Sequence, residues 1–190
     1  HSTLLRRSRK DNDVSVLSIF VNPTQFGLNE DFTKYPRDKK KDVLLAKKEN
    51  VDIIFYPSEK LMYPAGYLTF IEAGNLGQVL EGRSRPGHFR GVATVVAKLL
   101  NIVAPERMYL GAKDAQQCVV LKHLVTDLNF PTKIIIGPTV RESDGLAMSS
   151  RNQYLSPSER KDATVLYSSL LLAQNEIKRG LRDAAKTRFL

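Results

Sequence analysis

The sequence predicts an α/β fold, a parallel sheet with helices on both faces, and three observations carry that expectation. Three apolar runs rich in β-branched residues, at 14–21, 51–56 and 133–137, have strand length and no polar alternation, the pattern of strands covered on both sides. Helical patterns lie between them, the clearest being Val92, Val95, Val96, Leu99, Leu100 and Val103 at spacings of three and four. Strand and helix therefore alternate, and β-α-β units are the economical way to bury both.

Taken in order, a helical pattern at 4–12 precedes the first strand, and another at 38–49 separates the first strand from the second. Residues 63–90, rich in Gly and Pro, read as loop and short strands. The stripe ending at Val103 is closed by Pro105. A short strand at 107–110 follows, then a helix at 115–129 stopped by Phe130-Pro131, then the strand at 133–137. Beyond Arg151-Asn152 the texture changes. Ser156-Pro157-Ser158-Glu159 supplies a serine cap and a proline at the first helical position, and one long helix is expected to run to Arg179 before Gly180. The division expected is residues 1–140 as a first domain and 141–190 as the opening of a second.

The chain of 190 residues is 42% hydrophobic, enough for a packed core. Its longest apolar stretches are interrupted by Lys98, Asn101 or Gly137, short of the roughly 18–20 residues of a membrane span. Cys118 is the single cysteine, so no internal disulfide or cysteine-based metal site can form, which suits the cytoplasm. Its place in the run Cys118-Val119-Val120-Leu121 is that of a small core residue rather than a nucleophile. The formal charge of +9 favours anionic partners, either nucleic acid or phosphorylated small ligands. Runs such as Lys39-Lys40-Lys41 are accounted for as solvated helix faces.

In open parallel sheets, ligands bind beyond the carboxyl ends of the strands, and those positions are polar here. After the first strand, Asn22-Pro23-Thr24-Gln25 sets two amides in a turn. Amides can hold a carboxylate and hydroxyls without adding a competing charge, although Asn22 as a plain turn cap fits equally well. After the strand at 107–110, Gly111 permits close approach and Lys113 offers a mobile cation. Asp114 can accept from ribose hydroxyls, Gln117 lies one helical turn on, and the helix start favours anions. Asp114 as an ordinary N-cap is the alternative. After the third apolar run, Ser149 and Ser150 with Arg151 combine small donors and a planar fork suited to polyphosphate, or simply form a serine-rich turn. His1 opens a helical pattern whose positive end could meet an anion, although a position set only by where the sequence starts fits equally well. His88 and His123 lack metal-ligand spacing, so no protein-held metal is expected. No Gly-x-x-x-x-Gly-Lys-Ser/Thr loop and no Gly-x-Gly-x-x-Gly fingerprint occurs, which argues against a P-loop enzyme or a standard dinucleotide site.

Five strings occur in order: Val21-Asn-Pro-Thr-Gln-Phe-Gly27; Asn29-Glu-Asp-Phe32 with Tyr35-Pro-Arg37; Arg85-Pro-Gly-His-Phe-Arg-Gly-Val92; Gly111-Ala-Lys-Asp-Ala-Gln-Gln117; and Val140-Arg-Glu-Ser-Asp-Gly-Leu-Ala-Met-Ser-Ser-Arg-Asn152. In order and spacing they resemble the pantothenate synthetase (pantoate–β-alanine ligase) family over the first 155 residues. The resemblance implies a Rossmann-like nucleotidyltransferase fold of the HIGH superfamily with a smaller C-terminal lid domain, of which 141–190 is the start. His1 then corresponds to the second histidine of the His-x-Gly-His signature. The strand bearing the first signature histidine and most of the lid would lie outside these residues. Leu110 stands where the family usually has phenylalanine, an apolar exchange.

The resemblance also implies a chemistry: ATP activates pantoate as pantoyl adenylate, releasing pyrophosphate, and β-alanine then displaces AMP. It gives the phosphates His1, Lys113, Ser149, Ser150 and Arg151, the rest of the nucleotide Gly111, Ala112, Asp114, Val140 and Met148, pantoate Gln25 and Gln117, and β-alanine Gln25. Mg²⁺ would bridge nucleotide oxygens, and a cytoplasmic homodimer is expected. Two rivals make different predictions. Another adenylate-forming member of the superfamily would use a different acid, against which the paired Gln25 and Gln117 argue. A nucleic-acid-binding domain would show strong salt dependence, and no interleaved aromatic platform supports it.

Overall fold

The computed structural model describes residues 1–28 and 30–187. Asn29, which opens one of the five strings, lies outside them. The chain divides into two compact units, His1–Pro138 and Thr139–Leu190.

In the first unit, helix α1 (Ser2–Asp11) precedes strand β1 (Val16–Ser18), a 3-10 turn at Pro23–Gln25, helix α2 (Lys39–Lys48) and strand β2 (Ile53–Phe55). The short helices α3 (Glu59–Met62) and α4 (Glu81–Ser84), with a 3-10 turn at Gly74–Gly77 between them, lead to the long helix α5 (His88–Val103). Strand β3 (Arg107–Gly111), helix α6 (Ala115–Asp127) and strand β4 (Lys133–Gly137) complete it. The strands form two parallel ladders. β1 pairs with β2 from Val16↔Ile53 to Ser18↔Phe55, and β3 pairs with β4 from Arg107↔Lys133 to Gly111↔Gly137.

Local chemistry sets the helix ends. Asp38 accepts from the Lys41 N–H at 3.0 Å to start α2, and Ser58 caps α3. Helix α5 begins after Gly87 at φ +81 and ends at Ala104, left-handed at φ +46, just before Pro105. Its apolar stripe carries the core. Val92, Ala93 and Ala97 pack on Leu121 and Leu124 of α6, with Met108 and Leu110 of β3 and Ile134 of β4 against them. Leu121 is fully buried, which contributes about 1.5–3 kcal/mol for a side chain of that size.

Helix α1 runs antiparallel to β3. At its C-terminal end Arg107 donates to the Asp11 carbonyl at 3.0 Å and to Asn12 Oδ1 at 2.8 Å. At its other end Leu4 lies so close to Gly137 that a Cβ there would meet Leu4 Cδ2 at 2.6 Å. The N-terminus of α1 thus sits at the carboxyl end of the β3–β4 ladder. Arg6 grips Glu49 through two hydrogen bonds of 2.8 and 2.9 Å, fastening α1 to the end of α2.

Three expectations change. The first two strands are shorter than their apolar runs, and within these residues Val16 and Ile53 are 36% and 51% exposed in a two-stranded ladder. Residues 63–90 hold short helices and, among the described residues, no strand. The extended piece near Ile71 uses its N–H on Thr94 Oγ1 of α5 at 2.9 Å instead of on a ladder. The single long helix expected after Ser156 is two, α7 (Pro157–Asp162) and α8 (Val165–Lys178). Between them the Thr164 hydroxyl takes the Lys161 carbonyl at 2.8 Å, a side-chain bond that competes with the helical ladder.

The second unit opens with a hairpin, followed by a 3-10 turn at Ser150–Tyr154, α7, α8 and the short α9 (Ala184–Thr187). Ser156 and Glu159 form a reciprocal capping box at the start of α7, with Pro157 at the first helical position. Among the described residues, no helix is long and apolar enough to cross a membrane.

Candidate functional site

The turn after β1 is built around Asn22, which is 2% exposed. Its Nδ2 donates to Gln25 Oε1 at 3.2 Å and to the Gly91 carbonyl at 3.1 Å. Its Oδ1 accepts from Thr24 Oγ1 at 3.0 Å and from the Tyr63 hydroxyl at 2.8 Å. Asn22 therefore spends its amide inside the protein and shapes the turn, while Gln25, half-buried, keeps its Nε2 without a partner among the described residues. Burial raises the Tyr63 hydroxyl above its ordinary pKa, against its hydrogen bonds to Thr24 and Asn22.

Gly91 makes this arrangement possible. A Cβ there would stand 2.3 Å from the Thr24 carbonyl oxygen and 2.6 Å from the Gln25 nitrogen, so only glycine lets α5 meet the turn this closely. Ala93, two residues on, is about 200° around the helix and faces α6. Helix α5 thus presents the Gln25 turn on one side and α6 on the other.

At the carboxyl end of β3–β4 two glycines, Gly111 and Gly137, stand opposite each other. Ala112 donates its N–H to the Gly137 carbonyl at 2.9 Å. Lys113 and Asp114 follow as an exposed ion pair of 3.0 Å. Asp114 occupies the N-cap position of α6 but makes no side-chain capping bond, so its carboxylate turns to Lys113 instead. The first turn of α6 holds no acidic residue, and neither does that of α1, where His1 also makes no side-chain cap. Two uncapped helix N-termini therefore converge on one ladder end, a concentration of N–H donors and positive dipole suited to phosphate. Gln117, half-buried in the first turn of α6, makes no side-chain hydrogen bond among the described residues. Behind it Cys118 is buried, its thiol 3.4 Å from the Gly111 carbonyl and raised in pKa by burial and then by Asp114. His123 is at the surface, 3.7 Å from Asp127.

In the second unit, Arg141 and Ala147 form the antiparallel bridge, and Met148 donates its N–H to the Val140 carbonyl at 3.0 Å. Opposed residues of such a pair share a face, so Val140 and Met148 lie side by side, 40% and 51% exposed. The turn needs Gly145, at φ +93. Ser149 caps the following 3-10 turn by accepting from the Arg151 N–H at 3.2 Å, and Ser150 and Arg151 are exposed on that turn. Asp144 pairs with Arg160 at 2.8 Å, which holds its carboxyl below the usual range.

Several participants escaped the sequence reading. Arg85 is bound by Glu30 through hydrogen bonds of 2.8 and 2.6 Å and by Glu81 at 2.8 Å. His88, 6% exposed, has Nδ1 2.9 Å from the Gln25 carbonyl. Burial moves its imidazole below its ordinary pKa, opposed by that carbonyl and helped by the charge of Arg85. Glu30 and Arg85 stand in two of the strings, but nothing in their spacing joins residues so far apart.

A family model described as pantoate-beta-alanine ligase matches residues 1–189. The pantothenate synthetase of Acetivibrio thermocellus is 57% identical over 188 residues, covering 99% of this chain and 67% of that protein. That of Thermotoga neapolitana is 59% identical over 186 residues, covering 98% and 66%. The solved pantothenate synthetase of Thermus thermophilus aligns with a TM-score of 0.93 at 49% identity, over 95% of this chain and 66% of that one. The pantoate-beta-alanine ligase of Francisella tularensis, solved with beta-gamma ATP and beta-alanine, aligns with a TM-score of 0.83 at 45% identity, over 87% and 64%. The chain thus spans about two thirds of the length of these relatives.

Proposed function

Because the chain belongs to the pantoate-beta-alanine ligase family, we propose that it serves the ATP-dependent condensation of pantoate with β-alanine through pantoyl adenylate. The observation that carries this reading is a pair of half-buried glutamines at the ends of two parallel ladders: among the described residues Gln25 has its Nε2, and Gln117 its whole amide, without a protein partner. Neutral amides can hold a hydroxy acid's carboxylate and hydroxyls without lowering its nucleophilicity through a fixed positive charge. The Francisella relative's ATP and β-alanine ligands support the same substrates.

In the first step a pantoate carboxylate oxygen attacks the α-phosphorus of ATP. The new C–O–P linkage forms as the bond from the α-phosphorus to the bridging oxygen breaks, and pyrophosphate leaves with the electron pair. Charge shifts toward the β-phosphate, where Lys113, the uncapped start of α6 and His1 would offset it. By the family resemblance, Ser149, Ser150 and Arg151 would serve the phosphates as donors, and Val140 with Met148 the adenine. Gly111, Ala112 and Asp114 would meet the nucleotide at the ladder end. In the second step the neutral β-alanine amine, oriented by Gln25, attacks the acyl carbon. A C–N bond forms, the C–O bond to AMP breaks, and the amine sheds a proton. Holding both reactants in turn supplies much of the acceleration.

Among the described residues no group of three or more His, Cys, Asp or Glu side chains could hold a metal ion. Mg²⁺ would accompany the nucleotide and neutralise phosphate charge. A homodimer and residence in the cytoplasm belong to the same proposal. Pantoate labelled with oxygen-18 in its carboxylate tests the route: adenylate formation transfers one label to AMP, whereas an acyl-phosphate route would leave AMP unlabelled and refute it.

A further inference from the structure

The backbone of Gln25 is held by a hydrogen-bonded line that ends beside Gln117. Arg85 Nη1 lies 3.1 Å from His88 Nε2. A guanidinium has only donors, so Nε2 accepts and the ring proton resides on Nδ1. That Nδ1–H then donates to the Gln25 carbonyl at 2.9 Å. Edge-on packing against Phe89, with ring centroids 5.0 Å apart, also orients the imidazole. Arg85 is itself fixed on three sides, by the two oxygens of Glu30 and by Glu81 Oε1.

The line continues into α6. The Glu81 N–H donates to Gln116 Oε1 at 2.9 Å, and Gln116 Nε2 donates to the carbonyls of Leu76 and Val79, both at 2.8 Å. Between Val79 and Glu81, Leu80 adopts φ +48 and ψ −120, a region that L residues rarely adopt and that strains the backbone. Three bonds from one amide hold that turn against its strain. Gln116 is the neighbour of Gln117, so each candidate pantoate glutamine is attached to one end of the same network.

We propose that His88, Arg85 and Gln116 are positioning residues for the pantoate half of the site, fixing the Gln25 backbone relative to Gln117 and so the separation of the two amides. This rests on the proposed function, in which those amides hold pantoate. Glu30 and Glu81 balance the partly buried Arg85 cation and keep it from competing for the carboxylate.

The test uses a polypeptide of the relatives' full length that contains these 190 residues, with KM for pantoate and for ATP measured separately. His88→Ala is expected to raise the pantoate KM about ten-fold, the worth of one lost hydrogen bond, and to move the ATP KM less than about two-fold. His88→Asn, whose amide nitrogen stands near the Nδ1 position, restores the pantoate KM, and Gln116→Leu raises it as His88→Ala does. A fall in kcat with both KM values unchanged, or no rescue by asparagine, overturns the positioning role. Failure of the unsubstituted protein to require pantoate would instead overturn the underlying function.

Discussion

Gly91→Ala is expected to cost little stability and much function, because its added Cβ meets the backbone of the Gln25 turn. The added Cβ would lie 2.3 Å from the Thr24 oxygen, 2.5 Å from its carbonyl carbon and 2.6 Å from the Gln25 nitrogen, where ordinary contact begins at 3.4 Å. These are backbone atoms, so relief requires the turn and helix to part by about 1 Å, with an overpacking cost of about 1–3 kcal/mol. Alanine returns about 1 kcal/mol of helix propensity. The net loss is then about 1 kcal/mol, a drop in Tm of a few degrees. The same shift moves Gln25 and lengthens the Asn22 bond to the Gly91 carbonyl and Gln25's own bond to His88. A displacement of about 1 Å in a positioning group can cost about 100-fold in rate. Circular dichroism melting and steady-state kinetics on one preparation read both quantities. An unchanged kcat/KM for pantoate in Gly91→Ala would refute the reasoning.

Three further outcomes follow from particular contacts. Asn22→Ala removes four hydrogen bonds and strands buried partners, so chemical denaturation should register about 3 kcal/mol of lost stability. Gly145→Ala places a Cβ against the Tyr167 ring at a positive φ; hydrogen exchange should find the Met148 amide, bonded to Val140, markedly less protected, and unchanged protection would contradict the hairpin. Because burial depresses the His88 pKa, the native state binds fewer protons than the unfolded chain below the ordinary histidine value of about 6.5. Stability should therefore fall as pH drops from that value toward the lower folded pKa, and His88→Asn should flatten this part of a Tm-against-pH curve. The Glu30 carboxyl, lowered chiefly by its hydrogen bonds to Arg85, contributes stability that is lost only in the more acidic carboxylate range.

Much of the fold was legible because it rests on periodicity. The stripe from Val92 to Val103, the strands ending at Gly111 and Gly137, and the stop at Pro105 are local signals, and the structure realises them. What periodicity could not reveal is how amides divide their labour. Asn22 and Gln116 look as available as Gln25 and Gln117 in the sequence, yet the first pair is spent on internal bonds to Tyr63, Gly91, Leu76 and Val79. Partners 35 or more residues away distinguish them. Distance likewise hid the contacts of Glu30 with Arg85 and of His88 with Gln25, 55 and 63 residues apart. The interruption between α7 and α8, where the Thr164 hydroxyl bonds the Lys161 carbonyl, carries no Gly or Pro signal, and the strained turn at Leu80 has no glycine at that position to announce it.

Pantoate-dependent exchange of labelled pyrophosphate into ATP tests the central claim most directly, using the full-length polypeptide with and without Lys113→Ala and Gln117→Ala. The expected result is exchange that needs pantoate and Mg²⁺, proceeds without β-alanine, and falls at least about 100-fold in either variant. Exchange indifferent to pantoate, or unchanged by both substitutions in a folded protein, would contradict it.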